Sequence, residues 1–294
     1  MNTNVWVAGE ALIDLLPDNG DQRPIVGGGP ANTAKALANL GIKTSFIGGI
    51  SNDQYGPLIE AELSSHGVDL TLAQRSDLQT AIAEVSLDES GSATYKFTLK
   101  DTATFDFAGW LPNEVPDALQ IGSLATIVEP GAKDLYEWAS RIAEEGGKIF
   151  FDPNVRSSVL NDSGQYRKHF EKWAVISNVI KASEEDLAFL NLSAEEILNF
   201  GVDLLVVTKG SAGMIGYQDG NSISVPGLRV SVVDTVGAGD TVGALLIASF
   251  IENGPIRRTN LEEVLTLAAR AAAITCTRAG AKPPTFEELQ EYFK

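Results

Sequence analysis

The ten residues VVDTVGAGDT at positions 232–241 form the most informative pattern in the chain. A β-branched run meets a turn of small residues. The next stretch, 241–252, is apolar and compatible with a helix that Asn253-Gly254-Pro255 would end. The turn Gly237-Ala238-Gly239 is therefore predicted to lie at a helix N-terminus. Unpaired backbone N–H groups and the positive end of the helix dipole favour an anion there.

Asp240 follows this turn directly. Phosphoryl transfer uses both parts of the pattern, because N–H groups bind the moving phosphate and a carboxylate accepts the proton of the attacking hydroxyl. The alternative is that Asp240 only caps the helix, as many aspartates do. Capping does not account for the two glycines around Ala238 or for Asp234 upstream, so we favour the anion site.

Composition limits the classes of partner. The chain of 294 residues has a net charge of −17, which argues against nucleic acid and against an anionic membrane surface. The only cysteine, Cys276, excludes an internal disulfide, and we expect it to be a small buried side chain. The N-terminus lacks a basic region followed by an apolar stretch, and no apolar run has membrane-spanning length. We therefore expect a cytoplasmic protein.

Strand-like and helical runs alternate over most of the chain. Predicted strands include 5–8, 148–151, 175–177 and 204–208. The pattern predicts an α/β protein with a mostly parallel sheet covered on both faces, in which ligands collect at the carboxyl ends of strands.

One segment breaks this alternation. Runs 80–87 and 93–99 flank a polar turn and predict a β-hairpin. The hairpin is either a lid that excludes water from the site or an edge hairpin without that role.

A glycine-rich segment, Gly27-Gly28-Gly29-Pro30-Ala31-Asn32, precedes a predicted Ala-rich helix. Glycines let the backbone approach a ligand closely, proline suits the first helical turn, and an asparagine amide can bind a polyol. A tight turn without a ligand remains the alternative. The chain contains neither G-x-G-x-x-G nor G-x-x-x-x-G-K-[ST], which argues against a dinucleotide fingerprint and excludes a P-loop.

Other polar residues lie at predicted strand ends. Each could bind a ligand or could be an ordinary loop residue. Asp14 could accept hydrogen bonds from sugar hydroxyls, and Arg156 could bind a hydroxyl or a phosphate, whereas Asp152 and Asn154 are interpreted as turn residues. Glu129 is a candidate for orienting Mg²⁺ through water.

Together these motifs resemble the ribokinase-like carbohydrate kinases, nearly from end to end. GEALIDLLP at 9–17, GGGPAN at 27–32 and DPNVR at 152–156 are most similar to fructokinases. The resemblance implies one domain over 1–294, with a three-layer, doubly wound, mostly parallel sheet. A small β lid would be formed mainly by 12–26 and 80–104.

The implied reaction is transfer of a phosphoryl group from ATP to a primary hydroxyl of a ketohexose, with D-fructose as the expected acceptor and fructose 6-phosphate as the product. The alternative acceptors are 2-keto-3-deoxygluconate, ribose, a nucleoside and an aminoimidazole riboside. The alternative from another class is a non-catalytic sugar-binding regulator.

The resemblance also implies roles for individual residues. Asp240 would be the catalytic base, and the backbone of Gly237, Ala238 and Gly239 would form the anion hole. The sugar would be bound by Asp14, Gly28, Gly29, Asn32 and Arg156. The nucleotide would lie along Lys181, Thr208, Lys209, Gly210 and Gly213. Glu129 and Asp186 would hold Mg²⁺ through water, and a monovalent cation such as K⁺ would lie near Asp234, Val236, Arg278 and Gly280. A homodimer through the lid strands is a further expectation.

Two departures from the family pattern affect these roles. Asp186 ends the element Ser183-Glu184-Glu185-Asp186 where the family has N-x-x-E, so the shorter acid leaves the geometry around magnesium open. Gly29 stands where ribokinase-type chains have lysine, which argues against ribose. We also expect the helix N-terminus to lower the pKa of Asp240.

Overall fold

The computed structural model describes residues 4–18, 21–87 and 93–292. Its strands are β1 (Val5–Ala8), β2 (Leu12–Asp18), β3 (Asp21–Gly27), β4 (Thr44–Ile47), β5 (Gly49–Ser51), β6 (Gln74–Ser76), β7 (Ile82–Leu87), β8 (Ala93–Thr98), β9 (Ala118–Gly122), β10 (Lys148–Asp152), β11 (Val179–Ser183), β12 (Leu204–Thr208), β13 (Met214–Gln218) and β14 (Asn221–Val225). Its α-helices are α1 (Gly29–Asn39), α2 (Gly56–Ser65), α3 (Gly131–Glu144), α4 (Ser163–Ala174), α5 (Glu184–Leu190), α6 (Ala194–Leu198), α7 (Ala238–Asn253), α8 (Arg258–Cys276) and α9 (Phe286–Glu291).

The main sheet has eight strands in the order β14-β13-β12-β11-β10-β9-β1-β4. The pairs from β4 to β12 are parallel, and β13 and β14 continue the sheet in the antiparallel sense. Parallel neighbours need crossover connections, and helices supply them here. The predicted α/β class with a mostly parallel sheet is confirmed.

Helices cover both faces of this sheet. Val5 and Val7 belong to an apolar cluster with residues of α1, α7 and α8, whereas Trp6 and Ala8 belong to a second cluster with residues of α3 and α4. Because successive side chains of a strand point to opposite faces, a strand buried on both sides is apolar throughout. The result is the predicted three-layer arrangement.

Two local expectations were wrong. The run 175–177 is not a strand, because α4 ends at Ala174 and the N–H groups of Ile176 and Ser177 donate to Trp173 and Ala174. The strand is β11, which begins at Val179. Cys276 is only half-buried at the end of α8, rather than enclosed in the core.

A smaller sheet has the order β3-β2-β7-β8. It is built directly onto the carboxyl edge of the main sheet, because β1 leads through residues 9–11 into β2, and β3 leads through Gly28 into α1. The hairpin strands β7 and β8 pair antiparallel as predicted, and their turn at 88–92 lies outside the described residues. Among the described residues, no helix combines the length and apolar character needed to cross a membrane.

Candidate active site

Polar side chains converge at the carboxyl ends of the parallel strands. Asp152 ends β10 opposite Gly122 of β9, and Ser183 ends β11 opposite Thr208 of β12. Parallel strands end at the same edge of a sheet, so these residues share one rim. The glycine-rich segment and the N-terminus of α7 lie over the same rim.

The turn before α7 leaves backbone donors available. Gly237 is the N-terminal cap with a φ of 78°, a left-handed conformation that suits glycine. The N–H of Ala238 donates to Thr235 over 3.3 Å, whereas no acceptor among the described residues takes the N–H groups of Gly237 and Gly239. The N–H groups of Gly237 and Gly239 are therefore the donors that this turn leaves available.

Asp240 is buried beside this turn, with 7% of its surface exposed. Its Oδ2 accepts a hydrogen bond from Nδ2 of Asn32 over 2.9 Å. Its Oδ1 faces Gly29, because a Cβ built on that glycine would lie 3.5 Å from Oδ1. One carboxylate oxygen is thus held by α1, while the other faces the narrow space over the glycine-rich segment.

Burial raises the pKa of Asp240, and the charges of Lys181, Arg156 and Lys35 together with the hydrogen bond from Asn32 oppose that rise. The expected lowering by the helix N-terminus was wrong, because loss of water around the carboxylate outweighs the dipole. A raised pKa makes Asp240 a stronger proton acceptor than an exposed aspartate.

Lys181 does not extend toward an open nucleotide site. Its Nζ lies 2.7 Å from Oδ2 of Asp152, and both side chains are 8% exposed. A Cβ built on Gly239 would lie 3.0 Å from this Nζ. The ammonium therefore lies next to Gly239, in an ion pair with Asp152, a residue that the sequence had suggested was part of a turn.

The residues expected to bind sugar lie around the same opening. Gly28 has a φ of 111°, and a side chain there would collide with the carbonyl of Glu10. Burial raises the pKa of Asp14 to about 6, and the positive charge of Arg156 opposes the rise. Arg156 is exposed and its charge also acts on Asp240. The positive charge of Arg156 therefore acts on the carboxylates of both Asp14 and Asp240.

Sequence reasoning missed two side chains at this opening. Nδ2 of Asn154 would lie 2.9 Å from a Cβ on Gly29, and Asn154 has a φ of 38°. Glu10 is 1% exposed, accepts the N–H of Ala125, and has its pKa raised by burial to about 7. Each lies two residues after the end of a strand, and that position was the signal in the sequence that could have identified them.

The remaining nucleotide candidates lie at the end of β12. Lys209 pairs with Glu184 over 2.8 Å, and its N–H donates to the carbonyl of Gly213. Gly210 lies in the 3₁₀ turn between Lys209 and Gly213. The hydroxyl of Thr208 donates to the carbonyl of Ala182 over 3.4 Å. These four residues form one turn on the rim.

The two magnesium candidates make different contacts. Both carboxylate oxygens of Asp186 accept backbone N–H groups, Oδ1 from Val155 and Oδ2 from Ser183. Glu129 is exposed and accepts the N–H of Lys133 at the start of α3. Within the described part of the chain, no group of three or more acidic, histidine or cysteine residues could hold a metal by itself.

The residues predicted to lie near a monovalent cation are only partly together. Oδ1 of Asp234 accepts the N–H of Val236, and Oδ2 accepts the N–H of Gly280 over 2.9 Å. The guanidinium of Arg278 points instead to Glu288 at 2.8 Å. Asp234 thus ties the turn before α7 to the segment after α8.

Comparisons with known proteins cover the whole site. The profile of the pfkB family of carbohydrate kinases matches residues 2–288. A fructokinase from Salmonella typhimurium is 34% identical over 295 residues, which is 96% of this chain and 95% of that protein. A fructokinase from Vibrio cholerae O395, solved with fructose, ADP and calcium, is 28% identical with a TM-score of 0.88 over 99% of both chains. The aminoimidazole riboside kinase of Salmonella enterica, solved with aminoimidazole riboside and an ATP analog, is 25% identical with a TM-score of 0.86 over 99% of this chain and 100% of that one.

Proposed function

The chain belongs to the pfkB family of carbohydrate kinases, and we propose that it transfers the γ-phosphoryl group of ATP to O6 of D-fructose. The observation that carries this proposal is the placement of Asp240. One oxygen of its buried carboxylate faces Gly29, and its backbone begins the helix whose first N–H groups form the anion hole.

In this reaction the hydroxyl oxygen of the sugar forms a bond to the γ-phosphorus while the bond from that phosphorus to the bridging oxygen breaks. Asp240 accepts the hydroxyl proton, and ADP leaves with the bonding electron pair. A loose transition state needs little activation of the nucleophile, so alignment and N–H donors supply most of the acceleration. Good positioning contributes roughly 7–11 kcal/mol, and each well-placed donor contributes about 3 kcal/mol.

Three groups support a polyol as acceptor. The buried Oδ1 of Asn32 has no partner among the described residues and is available to a hydroxyl donor. Asp14 can accept a hydrogen bond from a second hydroxyl, and Arg156 can donate a hydrogen bond to a third oxygen. Because Gly29 has no side chain, this space stays open, whereas a longer side chain would fill part of it. We therefore propose that a ketohexose, which is larger than ribose, fits here better than ribose does.

We propose that ATP is used as its magnesium complex. Mg²⁺ prefers oxygen ligands, keeps several waters, and binds substrate phosphates together with one or two carboxylates. Asp186 fits such a water-relayed role, because its carboxylate is fixed at the rim by two N–H groups. When bound, the ion would neutralise charge on the phosphates. The role predicted for Glu129 stays a prediction.

We propose that backbone carbonyl oxygens supply most ligands of any monovalent cation near α7, with Asp234, whose carboxylate is held by two N–H groups, as a nearby negative charge. The sheet β3-β2-β7-β8 is proposed as the lid, because β2 and β3 carry Asp14 and lead into the glycine-rich segment. Its outer strands, β3 and β8, are proposed as the dimer contact, which size-exclusion chromatography would test.

A panel assay tests the proposed acceptor. ADP release is measured with fructose, ribose, 2-keto-3-deoxygluconate, a nucleoside and aminoimidazole riboside, each at the same ATP concentration. We expect the highest kcat/KM with fructose and a ³¹P spectrum of a 6-phosphate product. A higher kcat/KM with another acceptor would replace fructose, and binding of sugars without turnover would favour the non-catalytic regulator.

A further inference from the structure

A small internal cavity lies between the main sheet and α7, beneath the anion hole. Gln120, Asp152 and Lys181 line it from the sheet side, and Gly243 lines it from the helix. It offers about 10 Å³ to the centre of a water molecule, which is close to the space that one water occupies.

Two buried oxygens at this cavity lack partners. Among the described residues, nothing donates a hydrogen bond to Oε1 of Gln120 or to Oδ1 of Asp152. Gln120 is 4% exposed and Asp152 is 6% exposed. A buried acceptor without a donor is costly, and folded proteins usually satisfy such groups with ordered water.

The sheet register brings these groups to the same face. Gln120 of β9 lies opposite Phe150 of β10, so Asp152, two residues further along β10, is its diagonal neighbour. Lys181 of β11 joins them through its ion pair of 2.7 Å with Asp152. The two free acceptors and one ammonium donor therefore surround the cavity.

We infer that the cavity holds one water molecule, which donates to Oε1 of Gln120 and Oδ1 of Asp152, and that this water makes both residues positioning residues for the anion hole. The water fixes one oxygen of Asp152, and the other oxygen fixes the ammonium of Lys181. That ammonium lies under Gly239. None of these side chains needs to touch the sugar or ATP.

This arrangement presents the positive end of the ion pair between Lys181 and Asp152 to Gly239. The N–H groups of Gly237 and Gly239 point toward the expected phosphate, and a buried ammonium next to Gly239 strengthens their potential. Without the water, Asp152 would carry an unsatisfied buried oxygen, and the ion pair would lose its fixed geometry. The inference rests on the proposed phosphoryl transfer for its kinetic consequences, but the water itself does not.

The test compares two buried glutamines of the same sheet. Gln120→Met removes the acceptor with little change in volume. Gln218→Met is the control, because Gln218 is 8% exposed and also has a buried Oε1 without a described partner, but lies on β13 away from Lys181. Its Nε2 donates to the carbonyl oxygens of Asp203 and Ile256, so the stability of this variant is measured alongside its kcat. We expect Gln120→Met to lower kcat by about tenfold, with KM for fructose and for ATP within about twofold. We expect kcat of Gln218→Met to stay within about twofold of the unmodified protein.

A crystal structure of the unmodified chain gives a second readout that needs no turnover. We expect one water peak within hydrogen-bond distance of Gln120 and Asp152, and no such peak in Gln120→Met. An empty cavity in the unmodified chain would overturn the inference, as would an equal loss of kcat in both methionine variants. If Gln120→Met does not fold, Asp152→Asn replaces it, and an unchanged kcat would then count against the inference. Absence of turnover on fructose would instead contradict the proposed acceptor. The water peak in the crystal structure would then still test the inference about the cavity.

Discussion

The side-chain amide of Asn32 donates to the carboxylate of Asp240 over 2.9 Å, although 208 positions separate the two residues. Asn32 is the last residue of the glycine-rich segment and lies in the first turn of α1, and Asp240 lies in the first turn of α7. This one hydrogen bond therefore fixes the start of α1 against the start of α7. It leaves Oδ1 of Asp240 as the oxygen that we propose faces the substrate hydroxyl.

The first prediction concerns the proton acceptor. Asp240→Asn keeps the size of the side chain but removes its charge, so kcat is expected to fall by about 10²–10⁴. KM for fructose and binding of ADP are expected to change little, because the glycine turn and Asn32 remain. Steady-state kinetics and calorimetric titration with ADP would measure both quantities.

Asp162→Asn is the control for helix capping. Asp162 caps α4 by accepting the N–H of Gln165 and lies outside the rim. If Asp240 were only a cap, both variants would keep most of their stability, because asparagine caps a helix about as well as aspartate, and both would keep turnover. Retention of near-normal kcat in Asp240→Asn would remove Asp240 from the mechanism.

The second prediction concerns the space over the glycine-rich segment. A Cβ on Gly29 would lie 2.9 Å from Nδ2 of Asn154 and 3.5 Å from Oδ1 of Asp240. Gly29→Ala is therefore expected to raise KM for fructose by about tenfold, while KM for ATP stays within about twofold. The comparison variant is Gly164→Ala in the exposed first turn of α4, where the nearest atom would be 3.4 Å away. Equal KM values for fructose in the two variants would contradict this placement of the sugar.

Much of the scaffold could be predicted from local patterns. Apolar strand-length runs between helices gave the mostly parallel sheet, and the polar turn between β7 and β8 gave the hairpin. The failure at 175–177 has a local cause: Val175 and Ile176 are β-branched, but Val175 is 62% exposed after the last turn of α4. A β-branched pair can follow a helix without forming a strand, and periodicity cannot distinguish the cases.

The parts of the candidate site that lie within a single sequence motif could be predicted. The turn 237–239 and Asp240 occupy adjacent positions, so their joint role was visible in the sequence. The pairing of Lys181 with Asp152 was not, because it depends on the register between β10 and β11. The raised pKa of Asp240 was also missed, since burial is a property of the folded neighbourhood. Long-range pairing and desolvation were the quantities that local sequence did not contain.

The third prediction concerns stability alone. Gly243 lies inside α7, and a Cβ built there would have no atom within 4 Å. Gly243→Ala is expected to stabilise the fold by about 0.5–1 kcal/mol, because alanine loses less conformational freedom in a helix. Urea unfolding would measure this change. Gly243 also lines the cavity proposed to hold a water, so a loss of stability would show that the methyl group displaces that water.

The fourth prediction concerns the pH dependence of stability through Glu10. Burial raises the pKa of Glu10 from 4.5 to about 7. The folded protein therefore keeps a proton on this carboxyl between about pH 4.5 and 7, where the unfolded chain has lost it, so the free energy of unfolding falls as pH rises through that range. By pH 8 the cost of the buried charge is about 3 kcal/mol.

Glu10→Gln cannot ionise, and its amide oxygen can still accept the N–H of Ala125. We expect it to match the unmodified protein at pH 5 and to be more stable at pH 8, as measured by urea unfolding at both values. Glu263→Gln, at an exposed position of α8, is expected to show no such growth with pH. A stability difference for Glu10→Gln that stays the same at pH 5 and pH 8 would mean that Glu10 is ionised at both.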